Sequence, residues 1–411
     1  MIRKGLINRI INLQVFSCFH HHNYPLFFLV TLTSSIGMTM MMVTLGWLVL
    51  EMTDSPFLLG MVWVARSTPN LILGILSGTI ADKFDRRKLL IIVSMILATC
   101  AFAMGALIFT ELIQIWHVFT IAVIMGATMT FNMPARQAFA VDIVGQEDAM
   151  NAISMGTVAM RIIGIFGGVT AGVVIELFGV EWPFFIMVIS YIIAIILLLN
   201  IRGVKRITVS EEQSVKESVI EAIKLIGKNQ IILILVVMCV SCQILGFSSM
   251  VVLPIMARDV LKVGATGLGL LSTASSVGGL IGALTLASLG NYQYKGRLML
   301  GIFLCFGIFL ILFSQSPWFL LTLFFYGLVG SMTAGFDAMQ HTMLQLNVAE
   351  DQRGRAMGIW MLCMGSTPVG STLIGIMASN FGAQLAITIN GGAIIIIFFI
   401  VLIFVPRLRR A

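Results

Sequence analysis

Twelve long apolar stretches decide what this chain can fold into. They fall at about 26–50, 57–80, 89–110, 116–135, 151–178, 183–201, 230–254, 265–288, 298–314, 318–340, 356–378 and 384–405. A helix rising 1.5 Å per residue crosses the hydrocarbon core of a bilayer with roughly 20 apolar residues. The core offers no water to an unpaired backbone group, so only helices and closed barrels cross it. Barrel strands would be shorter and would alternate apolar with polar residues. The spacing therefore predicts an all-α polytopic membrane protein of twelve transmembrane helices. Composition agrees: only 10% of the 411 residues are charged, against about 25% in a soluble domain.

Charge placement orients the spans. With a cytoplasmic N-terminus, 21 of the 25 Lys and Arg residues fall in alternate, cytoplasmic loops or in the tails, as the positive-inside rule requires. Arg258 and Lys262 fall on the other side, and Arg66 and Arg161 lie within spans. Arg136 is counted among the cytoplasmic loop charges. The net charge of +7 is thus a topology signal and no mark of nucleic-acid binding. The expected location is the plasma membrane, multi-pass, with both termini cytoplasmic. The first 25 residues lack a short apolar core with a cleavage site, so they read as a polar lead-in rather than a signal peptide. Cys18 with His20, His21 and His22 offers metal-ligating types, but a polar lead-in explains the run equally well, and no metal or cofactor is expected. The remaining cysteines sit in spans and imply no disulfide framework.

The chain divides in two. A charged segment separates six spans from six, giving an N-terminal bundle over 1–201, a cytoplasmic linker over 202–229 and a C-terminal bundle over 230–411. Apolar residues at helical spacing (Val215, Val219, Ala222, Ile223, Ile226) predict an amphipathic helix in the linker. The halves repeat each other. Residues 81–89 align with 290–298, where Asn291 replaces Asp82, and Pro134 to Glu147 aligns with Asp337 to Glu350. Such internal repeats mark transporters, whose substrate sites form between the repeats near the midplane.

The turn after span two reads Gly78-Thr-Ile-Ala-Asp82-Lys-Phe-Asp85-Arg86-Arg87-Lys88. It resembles the signature loop of the major facilitator superfamily, a resemblance covering nearly the whole chain. Thr53-Asp-Ser-Pro56, Pro134-Ala-Arg136 and Gln345 to Met357 are similar to an efflux branch that includes enterobactin and macrolide exporters. The resemblance implies two pseudo-symmetric six-helix halves that rock about a central site. It also implies a conformational latch at the loop, with Gly78, Asp82, Asp85, Arg86 and Arg87 meeting Asp142 after span four and the start of span eleven near Arg355. Either Asp82 marks the membrane interface, or it is stabilised at a helix N-terminus when the cytoplasmic side closes.

In the superfamily spans two, five, eight and eleven form the interface between halves. Small-residue stripes fit either that role or static helix packing alone: Gly74 and Gly78, Gly164, Gly168 and Gly172, Gly278 and Gly282. Pro69 and Pro368 are read as the only prolines inside spans. Spans one, four, seven and ten line the cavity, which the resemblance places at Trp47, Met125, Met129, Asn132, Gln243, Phe247, Tyr326 and Phe336. Ionisable residues in hydrocarbon are functional candidates by default; Arg66, Arg161, Glu176 and Asp337 qualify, with Glu176 and Asp337 near span ends and open to a merely interfacial reading. Arg161 and Asp337 are expected to pair, either as a structural bridge between the halves or for ion coupling, although span four is read as lacking the mid-helix arginine of many proton-coupled relatives. No phosphate-binding Gly-x-x-x-x-Gly-Lys-[Ser/Thr] loop occurs, and no residue constellation suggests an enzyme. The expected activity is secondary active export of amphipathic small molecules, drug-like compounds or siderophores, by alternating access. Proton antiport is an extension of that reading. A non-transporting sensor or scaffold and an importer are the alternatives. The expected partners are a small-molecule substrate, the bilayer and protons, with no nucleic acid and a monomeric state.

Overall fold

In a computed structural model, residues 14–204, 230–290, 292–348 and 353–404 are described, those of 14–16, 75–83 and 353–357 by backbone alone. The expected linker helix at 215–226 and Asn291 lie outside the described residues. A short 3-10 helix at Gln14–His20 precedes twelve spans. The first six are α1 (Tyr24–Thr53), α2 (Pro56–Lys83), α3 (Arg86–Phe109), α4 (Ile115–Val144), α5 (Ala149–Phe178) and α6 (Trp182–Asn200). The second six are α7 (Gln230–Val260), α8 (Gly264–Ser288), α9 (Lys295–Gln315), α10 (Phe319–Leu346), α11 (Arg353–Met364 then Thr367–Phe381) and α12 (Ala383–Phe404). The chain is a twelve-helix membrane protein with the fold of two six-helix halves. Large apolar side chains such as Ile72, Phe102, Ile192 and Phe404 are exposed, a pattern that suits lipid and not water.

Local chemistry sets the helix ends. Pro25 and Pro183 occupy first-turn positions of α1 and α6, where their missing N–H costs nothing. The Asp85 side chain accepts from the Lys88 amide and caps α3, as short polar side chains do at helix starts. Gly179 ends α5 at φ 111°, a conformation open to glycine.

Two spans run further than sequence suggests. α4 continues to Val144 with Pro134 inside it, so Arg136 and Asp142 are helical rather than in a loop. α7 continues past Pro254 to Val260 by changing its winding: a π turn at Cys242–Gly246, a 3-10 turn at Phe247–Met250 and a second π turn at Met256–Val260. Pro69 and Pro368 are therefore joined by Pro134 and Pro254 as prolines within spans. Local adjustments of this kind keep the backbone satisfied where proline removes a donor.

The halves meet through α5 against α8 and α2 against α11. A Cβ on Gly172 would lie 2.2 Å from the Ala265 carbonyl oxygen, and one on Gly269 would lie 2.3 Å from that of Gly168. Glycine is required for so close an approach. Gly168 and Gly172 thus serve the interface, and Gly164 lies on Ser276 of α8. Gly278 and Gly282 do not: they face Gly327 and Ser331 of α10 inside their own half. Their periodicity marked tight packing without telling which neighbour was packed.

Candidate functional site

At the end of the bundle that carries the basic loops, the α2–α3 turn places three charged side chains. Arg86 donates to Asp142 at 2.6 Å and to the Ala138 carbonyl at 3.2 Å. Both members of the ion pair are buried, at 6% and 4% exposure, so each depends on the other for its charge. Arg87 does not reach Asp142; it donates to the Leu198 and Leu199 carbonyls at 2.7 Å and closes the last turn of α6. A cation at a helix C-terminus is favoured by unpaired carbonyls and the helix dipole. All of these bonds lie within the N-terminal half, so they brace α3, α4 and α6 rather than span the two halves. The side chains of Asp82 and Arg355 lie outside the described residues, as does any contact between them.

The opposite end is sealed across the halves. Arg258, in the second π turn of α7, donates to the Leu50 carbonyl near the end of α1 at 2.9 Å and pairs with Asp54 at 2.8 Å and Asp259 at 2.7 Å. In return Glu176, near the end of α5, accepts from the Thr266 amide in the first turn of α8 at 3.2 Å. A cation of one half closes a helix C-terminus of the other, and an anion of the first half closes a helix N-terminus of the second. Close approaches of Gly46 to Pro254 and of Gly60 to Ser371 and Gly375 lie at the same end. In the sequence Arg258 was an off-pattern charge and Glu176 an interfacial acid; the signal was a lone charge beside a helix end, with no pattern to name its partner.

Between the ends, the predicted cavity residues separate into two groups. Trp47, Met129 and Phe247 are partly exposed, and Phe247 packs edge-on to Phe306. Asn132 is buried. Met125, Tyr326 and Phe336 are buried packing residues: Tyr326 lies 4.6 Å from Phe313 between ring centroids, and Phe336 lies 5.7 Å from Phe303. Those two aromatics fill the α9–α10 contact inside the second half. Gln243 is buried and tied to α11, donating to the Met364 sulfur at 2.7 Å and accepting from Thr367 at 3.3 Å. The span on which a residue stands did not tell which neighbour its side chain meets.

Arg161 lies against Gly279 of α8, whose missing side chain leaves room for the guanidinium. Its charge reaches Asp337, which is partly exposed. No ion pair within 4 Å is formed between them among the described residues, so the expected pairing is long-range. In the first half, Arg66 of α2 stacks over the Trp63 ring at 5.2 Å, a cation–π contact. Arg136, eight residues from the end of α4, also points into the bundle. Sequence reading placed Arg136 in a loop because Pro134 looked like a helix end, and so it missed a mid-bundle arginine.

The lead-in docks on α5. Ser17 and His21 both bond the Asp148 carboxylate, His21 at 2.9 Å, and Asn151 donates to Ser17. The bonds from Ser17 and His21 hold the Asp148 carboxyl below the usual carboxylate range. Cys18 is buried beneath. Among the described residues no group of three His, Cys, Asp or Glu side chains is arranged to hold a metal.

Comparison with known proteins follows the same lines. A family model described as a transmembrane secretion effector matches residues 14–410. The staphyloferrin A transporter of Staphylococcus aureus is 26% identical over 84% of this chain and 87% of its own. The enterobactin exporter EntS of Shigella boydii is 23% identical over 95% and 93%. Among solved structures, the nucleoside transporter NupG has a TM-score of 0.72 at 16% identity, covering 93% of this chain and 98% of its own. A D-xylose-proton symporter has a TM-score of 0.72 at 14% identity, covering 95% and 98%. At such identities the structural likeness speaks for the fold.

Proposed function

The chain belongs to the transmembrane secretion effector family of the major facilitator superfamily, and from that premise we propose that it exports siderophore-like amphipathic molecules by alternating access. It is a multi-pass membrane transporter. The observation that carries the mechanistic reading is the reciprocal closure of helix ends by Arg258 and Glu176 between the halves. Such bonds cost little to break at an exposed end, roughly 0.3–1 kcal/mol each, so one end can open without unfolding either half. The proposed orientation puts both termini and the Gly78–Lys88 loop in the cytoplasm, with the Arg258–Glu176 end facing outward. Asp82 and Arg355 then form the opposing latch, closing when the outer seal parts. The Arg86–Asp142 pair holds the loop rigid enough for that latch to register. The 26%-identical relative named for staphyloferrin A and the one named for enterobactin support a siderophore-like cargo. Proton coupling, with Asp337 near Arg161 as the titrating group, is part of the same proposal.

The test is partition of iron chelators in cells that carry or lack the chain. Deleting it lowers low-molecular-mass chelating activity in the medium and raises it inside. An unchanged partition contradicts the export reading.

A further inference from the structure

Two arginines in the membrane interior of the first half, Arg66 and Arg136, have no acid to answer them among the described residues. Arg66 lies ten residues from the start of α2, about 15 Å along a helix rising 1.5 Å per residue. Arg136 sits in α4 with its side chain turned inward from the other side of the midplane. Among the described residues no carboxylate lies within 4 Å of either guanidinium. The acids of this half are elsewhere: Asp142 is bound to Arg86, Glu51 lies near the end of α1, and Glu176 caps α8.

Four polar atoms around these arginines are buried without a protein hydrogen-bond partner: Arg66 Nε, Arg136 Nε, Trp63 Nε1 and the Tyr191 hydroxyl. Tyr191 sits at the middle of α6, within electrostatic reach of both guanidiniums, and its ring lies on Gly37 of α1. Four donors from three helices thus converge on one region. Both arginines are nonetheless partly exposed, although the Nε of each is buried. Among the described residues of the interior, three guanidiniums (Arg66, Arg136, Arg161) stand against one carboxylate (Asp337), an excess of two positive charges. Charge and unmet donors in low dielectric cost several kcal/mol unless a partner arrives. A static scaffold gains nothing from that cost, whereas a site that binds an anion recovers it on binding.

We propose that Arg66, Arg136, Tyr191 and Trp63 form an anion subsite that takes a carboxylate group of the exported amphiphile. The inference rests on the export reading and narrows its cargo to molecules with at least one carboxylate. A guanidinium fork matches a carboxylate in two parallel bonds. The Tyr191 hydroxyl supplies a further donor, and the Trp63 indole offers its N–H and an apolar wall. The aliphatic or aromatic remainder of the cargo lies against the partly exposed Trp47, Met129 and Phe247.

The test uses a probe pair differing only in charge: 11-(dansylamino)undecanoic acid and its methyl ester. Binding to the full chain in zwitterionic nanodiscs is read by dansyl fluorescence, with protein-free nanodiscs subtracted; zwitterionic lipid keeps anionic headgroups out of the site. The wild type binds the acid about tenfold or more tightly than the ester, the range of a charge-assisted hydrogen bond. Arg66→Gln and Arg136→Gln each bring that ratio towards one, while Arg66→Lys keeps part of the preference. Equal binding of acid and ester by the wild type overturns the inference, even if every variant misfolds. A preference that survives both Gln variants overturns it as well. In proteoliposomes, export of the ester without the acid sinks the subsite and leaves export standing. Tight binding of the acid with export of neither probe does the reverse.

Discussion

Removing the two charges that join the halves at the Arg258–Glu176 end should tip the balance between the two faces of this transporter. Arg258 makes one bond to the end of α1 and one ion pair with Asp54, which is 82% exposed. An exposed pair contributes about 0.2–1 kcal/mol, and a cation at a helix C-terminus about 0.3–1 kcal/mol. Glu176 on the first turn of α8 acts as a cap supplied from the other half, and losing a cap costs about 0.5–2 kcal/mol. The Glu176→Ala/Arg258→Ala double variant should therefore lose on the order of 1–4 kcal/mol of closure at that end, a shift of roughly 5-fold to nearly 1,000-fold in the ratio of states. The folded halves should be unaffected, since each keeps its own packing.

The assay is electron–electron distance measurement between spin labels at Leu112 and Trp318. Both are strongly exposed loop residues at the sealed end, one in each half. The native cysteines are first replaced. The account predicts one dominant short distance in the reference protein and a grown long-distance population in the double variant. Identical distance distributions would refute the reasoning, because the contacts would then be incidental to closure.

Three further outcomes follow from the geometry. Asp142→Asn leaves Arg86 charged and buried without its partner, which should cost about 3–5 kcal/mol; thermal unfolding in detergent reads it, and an unchanged midpoint contradicts the buried-pair account. Gly172→Ala places a Cβ 2.2 Å from the Ala265 carbonyl oxygen, whereas Gly156→Ala meets nothing within 4 Å. The first should impair export and the second should be silent or slightly stabilising; equal effects would show that close approach of α5 and α8 is not needed. Asp148 is held below its usual range by Ser17 and His21, so its contribution is present above the unfolded carboxylate pKa and is lost as pH falls through the lower folded value. Hydrogen exchange of residues 17–23 should therefore quicken below about pH 4 and be insensitive above it; no acid response would mean the docking does not depend on this carboxylate.

The number and order of spans were legible because each is a long apolar run. What sequence concealed was the side of the helix and the end of the helix. Tyr326 and Phe336 stand on an inward-facing span, yet they turn to α9, because period alone cannot distinguish a cavity from a packed neighbour. Gly278 and Gly282 likewise follow the static-packing reading and not the interface one. Arg136 was hidden by Pro134, whose helix-breaking tendency is overridden in lipid by the need to keep every backbone group bonded. Arg258 and Glu176 carry no motif at all; their roles arise only when two distant helix ends are brought together.

The central claim, export by a two-faced machine, is met most directly by flux of the dansyl carboxylate into inside-out proteoliposomes. The wild type should accumulate the probe against its gradient when a pH gradient is imposed, and Asp82→Asn should insert normally yet accumulate none. No accumulation by the correctly inserted wild type, with or without the gradient, would contradict the account.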